Sequence, residues 1–177
     1  SEIGEEAMKY GVDFPFFRPE GLATDRAKSK DMWRDAWIQA EKYYKKKYDF
    51  SILLEPTSPF RKLRDIDDCL KKILEKKADL VMTVSRTPAS YTPEKSFIKS
   101  NYGMLKKYKA SGKDYSLRQS IKPCYHKNGI CYIVTRKHLI ENNKLFETDN
   151  IVPILINRNV VNIDSHLDLK LAELLIN

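Results

Sequence analysis

Apolar residues recur at helical spacing in two stretches of the chain, and this pattern predicts helices over residues 31–47 and 65–77. The inward faces are predicted to carry Trp33, Trp37, Ala40 and Tyr44 in the first helix, and Ile66, Leu70, Ile73 and Leu74 in the second. Shorter helices are predicted over residues 1–10, over residues 135–142, and after a capping box formed by Ser165 and Asp168. An aromatic face such as that of the first helix is more typical of a core than of a cofactor site.

Short apolar runs bounded by turn residues predict five strands, over residues 49–54, 78–84, 129–134, 152–156 and 160–163. The first two strands flank the helix predicted over residues 65–77. A strand, a helix and a strand joined by short connections form a βαβ unit, so part of the sheet is expected to be parallel. The pattern therefore predicts an α/β fold, and no repeat or low-complexity linker divides residues 1–177 into more than one domain.

Residues 85–127 interrupt this alternation, because they are rich in Tyr, Lys, Ser and Pro. Within them, residues 101–103 form a turn signal between Phe97-Ile98 and Met104-Leu105, which predicts a hairpin. We therefore treat this segment as an insertion into the α/β pattern.

Composition excludes several classes of protein. Hydrophobic residues make up 42% and charged residues 32% of the chain, which is typical of a globular protein and not of a disordered one. No run approaches the roughly 20 apolar residues of a membrane span. The net charge of +8 suits anionic partners, but lysine runs at helix ends are usually solvated, so no nucleic-acid partner is expected. Three cysteines without a CxxC pair, and no signal peptide at the start, lead us to expect a cytoplasmic location.

Familiar catalytic and phosphate-binding motifs are absent from the sequence. The glycines form neither GxG nor GxxxxGK[ST], and neither GxSxG nor HExxH occurs. His126, His138 and His166 are scattered, and each is more often a surface or capping residue than a ligand.

Polar residues at predicted strand ends are the remaining candidates, because open α/β sheets bind ligands there. In the loop from Glu55 to Arg61, two prolines restrict the backbone, Thr57 and Ser58 carry hydroxyls, and Arg61 can pair with a phosphate or carboxylate. The alternative is a rigid turn that leads into the next helix.

Two further groups of polar residues flank later strands. Arg118 and Gln119 precede Asn128 in the first group. Arg118 can bind a carboxylate, and Asn128 can fix a sugar hydroxyl or simply form a turn. Asn162 and Asp164, two residues apart, can present oxygen ligands for Mg²⁺ on one side of a strand. Asp164 can instead serve only as a charge near the start of the last helix.

Four segments together resemble the acylneuraminate cytidylyltransferases, also called CMP-sialic acid synthetases. RPEGLATD at residues 18–25 resembles the family's RPxxLAxD, and LLEPTSPFR at residues 53–61 resembles LLQPTSPLR. RQ and NG, eight residues apart within residues 118–129, resemble the sugar-binding stretch. NIDSHLDLKLAELL at residues 162–175 resembles the closing DIDxxxDxxxAE segment.

The resemblance implies a Rossmann-like nucleotidyltransferase fold with a mixed, mostly parallel sheet, and transfer of CMP from CTP to a nine-carbon 2-keto sugar acid. It implies that Mg²⁺ is held by Asp164 and Asn162, and that residues 85–127 form a homodimer contact. The implied contacts are Arg18 and Asp25 with the nucleotide, and Glu55, Thr57, Ser58, Arg61, Arg118, Gln119 and Asn128 with the sugar acid. Arg118, facing the sugar carboxylate, and Asp164 are the implied catalytic residues.

The sequence departs from the family at three places. Glu55 replaces the family's Gln and would repel an anionic sugar, and Asn162 replaces an Asp and cannot act as a base. The family's opening strand, its ARGGSKxxxxKN loop and its second strand have no counterpart, so we expect the chain to be a fragment with an exposed sheet edge.

These departures leave two other interpretations open. One is a non-catalytic domain that binds a nucleotide or serves in assembly. The other is a basic nucleic-acid-binding module, for which the sequence carries no recognition motif.

Overall fold

The computed structural model describes residues 2–13, 15–24, 26–109 and 121–176. The helices are α1 (Glu2–Lys9), α2 (Ser29–Tyr44), α3 (Leu63–Lys76) and α4 (His166–Ile176). The strands are β1 (Phe50–Leu53), β2 (Leu80–Arg86), β3 (Phe97–Lys99), β4 (Leu105–Lys107), β5 (Tyr125–Thr135) and β6 (Ile151–Leu155). A short π-helical turn spans Lys137–Glu141, where Thr135 Oγ1 accepts a hydrogen bond from His138 N and so confirms the predicted cap.

Four strands form one mixed sheet in the order β1-β5-β2-β6. β1 is antiparallel to β5, with Phe50 opposite Thr135. Main-chain hydrogen bonds join residue 79 to 135 and residue 87 to 124, so β5 is also antiparallel to β2. Bonds from 79 to 150 and from 156 to 84 advance in the same direction, so β2 and β6 are parallel. The α/β class is confirmed, whereas a mostly parallel sheet is not, because β5 lies between β1 and β2 and runs against both.

The chain forms two compact units, each made of three segments. The first unit contains residues 1–53, 67–81 and 132–152. The second contains residues 54–66, 82–131 and 153–177.

In the first unit, Trp33 and Trp37 of α2 are buried, as predicted. Trp33 Nε1 donates a hydrogen bond to Ser51 Oγ over 2.8 Å, which satisfies the polar atom of a buried indole. Tyr44, predicted to face inward, is 38% exposed, because α2 ends there and Lys45 takes a left-handed conformation. The prediction for Tyr44 is therefore wrong.

A buried ion pair also holds α2. Glu41 is buried, and its carboxylate accepts hydrogen bonds from Arg136 Nε over 2.9 Å and from Arg136 Nη2 over 3.1 Å. Lys47 Nζ donates to the same carboxylate over 2.9 Å. The hydrogen bond with Arg136 is the largest cause that lowers the pKa of Glu41 to about 2.

We expect Glu41→Gln to lower the free energy of unfolding by about 3 kcal/mol at pH 7, because it removes the buried one of the two carboxylates that pair with the Arg136 guanidinium. The pKa of Glu41 is lowered from 4.5 to about 2 in the folded state, so the stability that its charge contributes is present above pH 4.5 and disappears as the pH falls towards 2. Urea unfolding at pH 7, 5.5, 4 and 3 measures this contribution. The difference in the free energy of unfolding between wild type and variant should become smaller below pH 4.5.

Glu141→Gln is the matched control, because Glu141 pairs with the same Arg136 but its side chain is 55% exposed. We expect it to cost under about 1 kcal/mol, as exposed ion pairs do. Equal losses in the two variants would contradict the role given to Glu41.

Helix α3 shows where a helical pattern misplaces a side chain. Ile73 is buried, as predicted, but Leu74 is 61% exposed and the prediction for it is wrong. The buried face instead follows Asp65, Cys69 and Ile73 at intervals of four residues. Leu74 comes one residue after Ile73, and roughly 100° per residue turns its side chain away from this face.

Two later predictions had different outcomes. The hairpin is confirmed as β3 and β4, which pair antiparallel with Phe97 opposite Lys107. The strand predicted over residues 160–163 is wrong, because that segment is an irregular loop held by a hydrogen bond from Ile163 N to Thr57 O over 2.8 Å. Among the described residues, no helix is both long enough and apolar enough to cross a membrane.

Candidate functional site

The loop after β1 is held in place by Arg61. Its Nε donates to the main-chain oxygen of Ile130, and its Nη2 donates to that of Glu55 over 2.8 Å. Burial lowers the pKa of the Arg61 guanidinium, while the charges of Asp65 and Glu55 act in the opposite direction. In this structure the arginine therefore fixes the path of the loop from Glu55 onward.

Ser58 lies at the centre of a polar cluster in the second unit. It is buried, and its hydroxyl is 2.9 Å from the main-chain oxygen of Asn128 and 3.1 Å from Asn162 Oδ1. Asn162 Nδ2 donates to Asp164 Oδ2 over 2.7 Å. The structure thus brings together polar residues from three distant segments, as expected from the sequence.

Gly129 allows these groups to approach β5 closely. Its φ is +72°, and a Cβ at this position would lie 2.3 Å from Ser58 Oγ and 2.4 Å from Glu55 Oε2. The same Cβ would be 3.3 Å from Asn162 Oδ1. We refer to Glu55, Ser58, Gly129, Asn162 and Asp164 as the Gly129 cluster.

The side chain of Asn128 is used inside the protein. Its Oδ1 accepts from Thr83 Oγ1 over 2.7 Å and from Ile130 N over 3.3 Å, and its Nδ2 donates to Ser85 Oγ over 3.0 Å. These bonds join β5 to β2. They use both acceptor positions of Oδ1 and one of the two N–H donors of Nδ2, and the role of Asn128 with substrate stays a prediction.

Other predicted site residues are not placed in this cluster. Thr57 contributes its main-chain oxygen to the bond with Ile163, and Arg18 is an exposed residue of the first unit. Asp25, Arg118 and Gln119 lie outside the described residues.

A cavity of about 550 Å³ in the second unit lies beside Asn162. Its lining combines basic and amide side chains, and none of the described residues that line it is acidic. The polar members are Ser85, Arg86, His126, Lys127, Asn128, Asn157, Arg158, Asn159 and Asn162. The arrangement suits a ligand that carries negative charge and many hydroxyl or amide groups.

Sequence reasoning missed the basic members of this cavity. Arg86 ends β2, and His126 and Lys127 are the second and third residues of β5, so these residues are near one another only because the two strands pair antiparallel. The only indication in the sequence was a basic residue at each of two strand ends. A basic residue in such a position is usually interpreted as a solvated charge.

The donor set of the Gly129 cluster fits Mg²⁺ better than a softer metal. Asp164 offers an exposed carboxylate and Asn162 an amide oxygen, whereas no group of three His, Cys, Asp or Glu that could hold a metal occurs in the described parts of the chain. Mg²⁺ is commonly held by one or two carboxylates together with substrate phosphates and water. These residues could therefore hold the ion when phosphates supply the remaining oxygens.

Comparison with known proteins agrees with the four sequence motifs, although no family model matches the chain. Over 175 residues, the chain is 31% identical to post-translational flagellin modification protein B of Campylobacter coli and 30% identical to CMP-N,N'-diacetyllegionaminic acid synthase of Campylobacter jejuni. Each match covers 99% of this chain and 73% of the relative.

An N-acylneuraminate cytidylyltransferase of Escherichia coli is 29% identical over 97% of this chain and 39% of the relative's own length. The agreement extends over nearly the whole chain and includes the segments that form the Gly129 cluster. The chain therefore belongs to the acylneuraminate cytidylyltransferase (CMP-sialic acid synthetase) family of nucleotidyltransferases.

Proposed function

We propose that this protein transfers CMP from CTP to a nine-carbon 2-keto sugar acid and releases pyrophosphate. The sugar's anomeric hydroxyl attacks the α-phosphorus, the bond to the pyrophosphate oxygen breaks, and the hydroxyl proton passes to solvent. The observation that carries the proposal is the cavity of basic and amide side chains beside Asn162, which matches the carboxylate and the hydroxyls of such a sugar.

The names of the relatives support the same substrate class. One is a CMP-diacetyllegionaminic acid synthase and another an N-acylneuraminate cytidylyltransferase, both of which act on sugar acids. We assign Arg86 and Lys127 to attract the carboxylate, and the surrounding asparagines to bind hydroxyl or N-acyl groups. Glu55 would repel a carboxylate placed against it, so the acid end of the sugar is expected to face the cavity and not Glu55.

The remaining roles rest on the family motifs. Arg18 and Asp25 are proposed to contact the nucleotide, and Arg118 and Gln119 the sugar acid. Asp164 and Asn162 would hold Mg²⁺, which supplies positive charge against the phosphates and orients them.

A homodimer is proposed through residues 85–127. In support, the hairpin of this segment exposes large apolar side chains, and Phe97, Ile98, Met104 and Leu105 are each more than half exposed. Phe97 and Leu105 lie on one face of the hairpin and Ile98 on the other, and exposed apolar groups of this kind often mark a contact with another chain.

The proposed reaction predicts CTP-dependent release of pyrophosphate with Mg²⁺ and a panel of sialic-type acids and Kdo. The assay should include this chain and a form of it that is extended at the N-terminus. Release that requires a sugar acid supports the proposal. Stabilisation by CTP and Mg²⁺ without release from either protein would instead identify a non-catalytic nucleotide-binding domain.

Arg86→Gln tests the cavity within that assay. We expect the KM for the sugar acid to rise about tenfold with kcat little changed, because the variant loses one charge-assisted hydrogen bond. Lys71→Gln, at an exposed position of α3 that does not line the cavity, is the control and should leave both constants unchanged. An unaltered KM in Arg86→Gln would show that the sugar carboxylate binds at another site.

A further inference from the structure

Arg158 ties the segment between β6 and α4 to the start of α3. Its Nη1 donates to Asp65 Oδ1 over 2.9 Å, and its Nη2 donates to Asp65 Oδ2. Nη2 also donates to the main-chain oxygen of Phe60 over 2.9 Å. A paired guanidinium and carboxylate of this kind fixes both distance and orientation. All of these residues belong to the second unit.

Asp65 is a rigid partner for this contact. It is buried in the first turn of α3, and its Oδ2 also accepts a hydrogen bond from Lys62 N over 2.8 Å. Burial raises the pKa of its carboxyl, but the hydrogen bonds from Arg158 and Lys62 outweigh this, so the pKa lies below its usual value. Asp65 is thus a charged anchor at neutral pH.

The anchored segment leads directly into the Gly129 cluster. Three contacts hold it in turn. Ile156 N donates to Val84 O over 2.9 Å, and Arg158 binds Asp65. Ile163 N then donates to Thr57 O over 2.8 Å. Asn162 and Asp164 lie beside the last of these anchors, and Asn162 Oδ1 is 3.1 Å from Ser58 Oγ.

We propose that Arg158 is a positioning residue that holds the Asn162–Asp164 pair in the geometry needed for nucleotidyl transfer, an inference that rests on the proposed function above. Although Arg158 lines the cavity, its Nη atoms already bond to protein groups. Its Nε is buried and has no hydrogen-bond partner among the described residues, so this atom is not accessible to a ligand. The guanidinium therefore acts through the loop and not on the substrate.

Arg158→Lys tests this role, because a lysine keeps the charge but cannot pair with both carboxylate oxygens in a fixed plane. We expect hydrogen–deuterium exchange to rise in residues 159–164 of the folded protein. In the pyrophosphate assay, kcat should fall about tenfold or more, as partners of metal ligands commonly show, while KM for CTP and sugar acid changes less than about threefold.

Arg136→Lys is the matched control, because Arg136 makes the same kind of bidentate contact with the buried carboxylate of Glu41 in the first unit. It should lose stability without faster exchange in residues 159–164 and without the fall in kcat. If Arg158→Lys fails to fold, Asp65→Asn weakens the contact from the other side and should give the same pattern at smaller amplitude.

The outcomes separate the two hypotheses. No rise in exchange at residues 159–164, or equal kcat losses in the Arg158 and Arg136 variants, overturns the positioning role. Absence of transfer by the wild-type protein overturns the proposed function alone. In that case the exchange measurement still decides whether Arg158 holds the loop.

Discussion

Gly129→Ala is expected to lower the free energy of unfolding by about 3 to 5 kcal/mol, because it combines backbone strain with a steric clash. The added Cβ would lie 2.3 Å from Ser58 Oγ, inside van der Waals contact. Ser58 is buried and held between Asn128 and Asn162, so it has little room to move. Glu55, whose Oε2 would be 2.4 Å away, can swing aside, which leaves Ser58 as the main obstacle. Urea unfolding curves measure the loss.

Gly103→Ala separates the two contributions. Gly103 has a φ of +79°, close to that of Gly129, but a Cβ there would meet no atom of the described part of the chain within 4 Å. It should therefore show backbone strain alone, on the order of 1 to 2 kcal/mol. If the two variants lose the same stability, the close approach at Gly129 is not a constraint on the fold.

Asp164→Asn is expected to lower the rate of CMP transfer by at least about 100-fold, since even the partners of metal ligands cost 10–100-fold when changed. The asparagine keeps the shape of the side chain and can still accept the hydrogen bond from Asn162, so the loop should stay in place. What disappears is the negative charge proposed to hold Mg²⁺. A Mg²⁺ titration of pyrophosphate release should show a higher half-saturating concentration.

Asp168→Asn is the control for this prediction. Asp168 is half-buried, and its carboxylate accepts from Ser165 Oγ over 2.7 Å and from Asp164 N over 3.2 Å at the start of α4. The Ser165 hydroxyl is the main cause of its lowered pKa. Its variant should lower the melting temperature slightly and leave the Mg²⁺ dependence unchanged. A similar loss of activity in both variants would mean that the loss comes from disruption of the helix cap and not from the missing charge of Asp164.

Local features could be predicted from the sequence because neighbouring residues determine them. The hairpin, the cap at Thr135 and the Ser165–Asp168 capping box are all present, and Trp33 and Trp37 are buried. The errors at Tyr44 and Leu74 have the same origin. Hydrophobicity alone did not indicate where α2 ends, nor which of two adjacent apolar residues faces the core.

Features that depend on strand pairing could not be predicted locally. The placement of β5 between β1 and β2 brings Arg86 near His126 and Lys127, and no periodicity in the sequence encodes that arrangement. The contact of Arg158 with Asp65 spans 93 residues, and each residue alone resembles an ordinary surface charge. The family motifs contain every member of the Gly129 cluster, but they do not indicate the contacts among its members.

The sequence separations within the Gly129 cluster also bear on how the protein folds. Ser58 is 70 residues from Asn128 and 104 residues from Asn162. Contacts across such long loops close late, because the entropy of the intervening chain opposes them until the rest of the sheet has formed. A partly folded chain would therefore lack the cluster altogether. Ligand binding there would report on completed folding, and a chain synthesised only as far as residue 161 would lack Asn162 and Asp164.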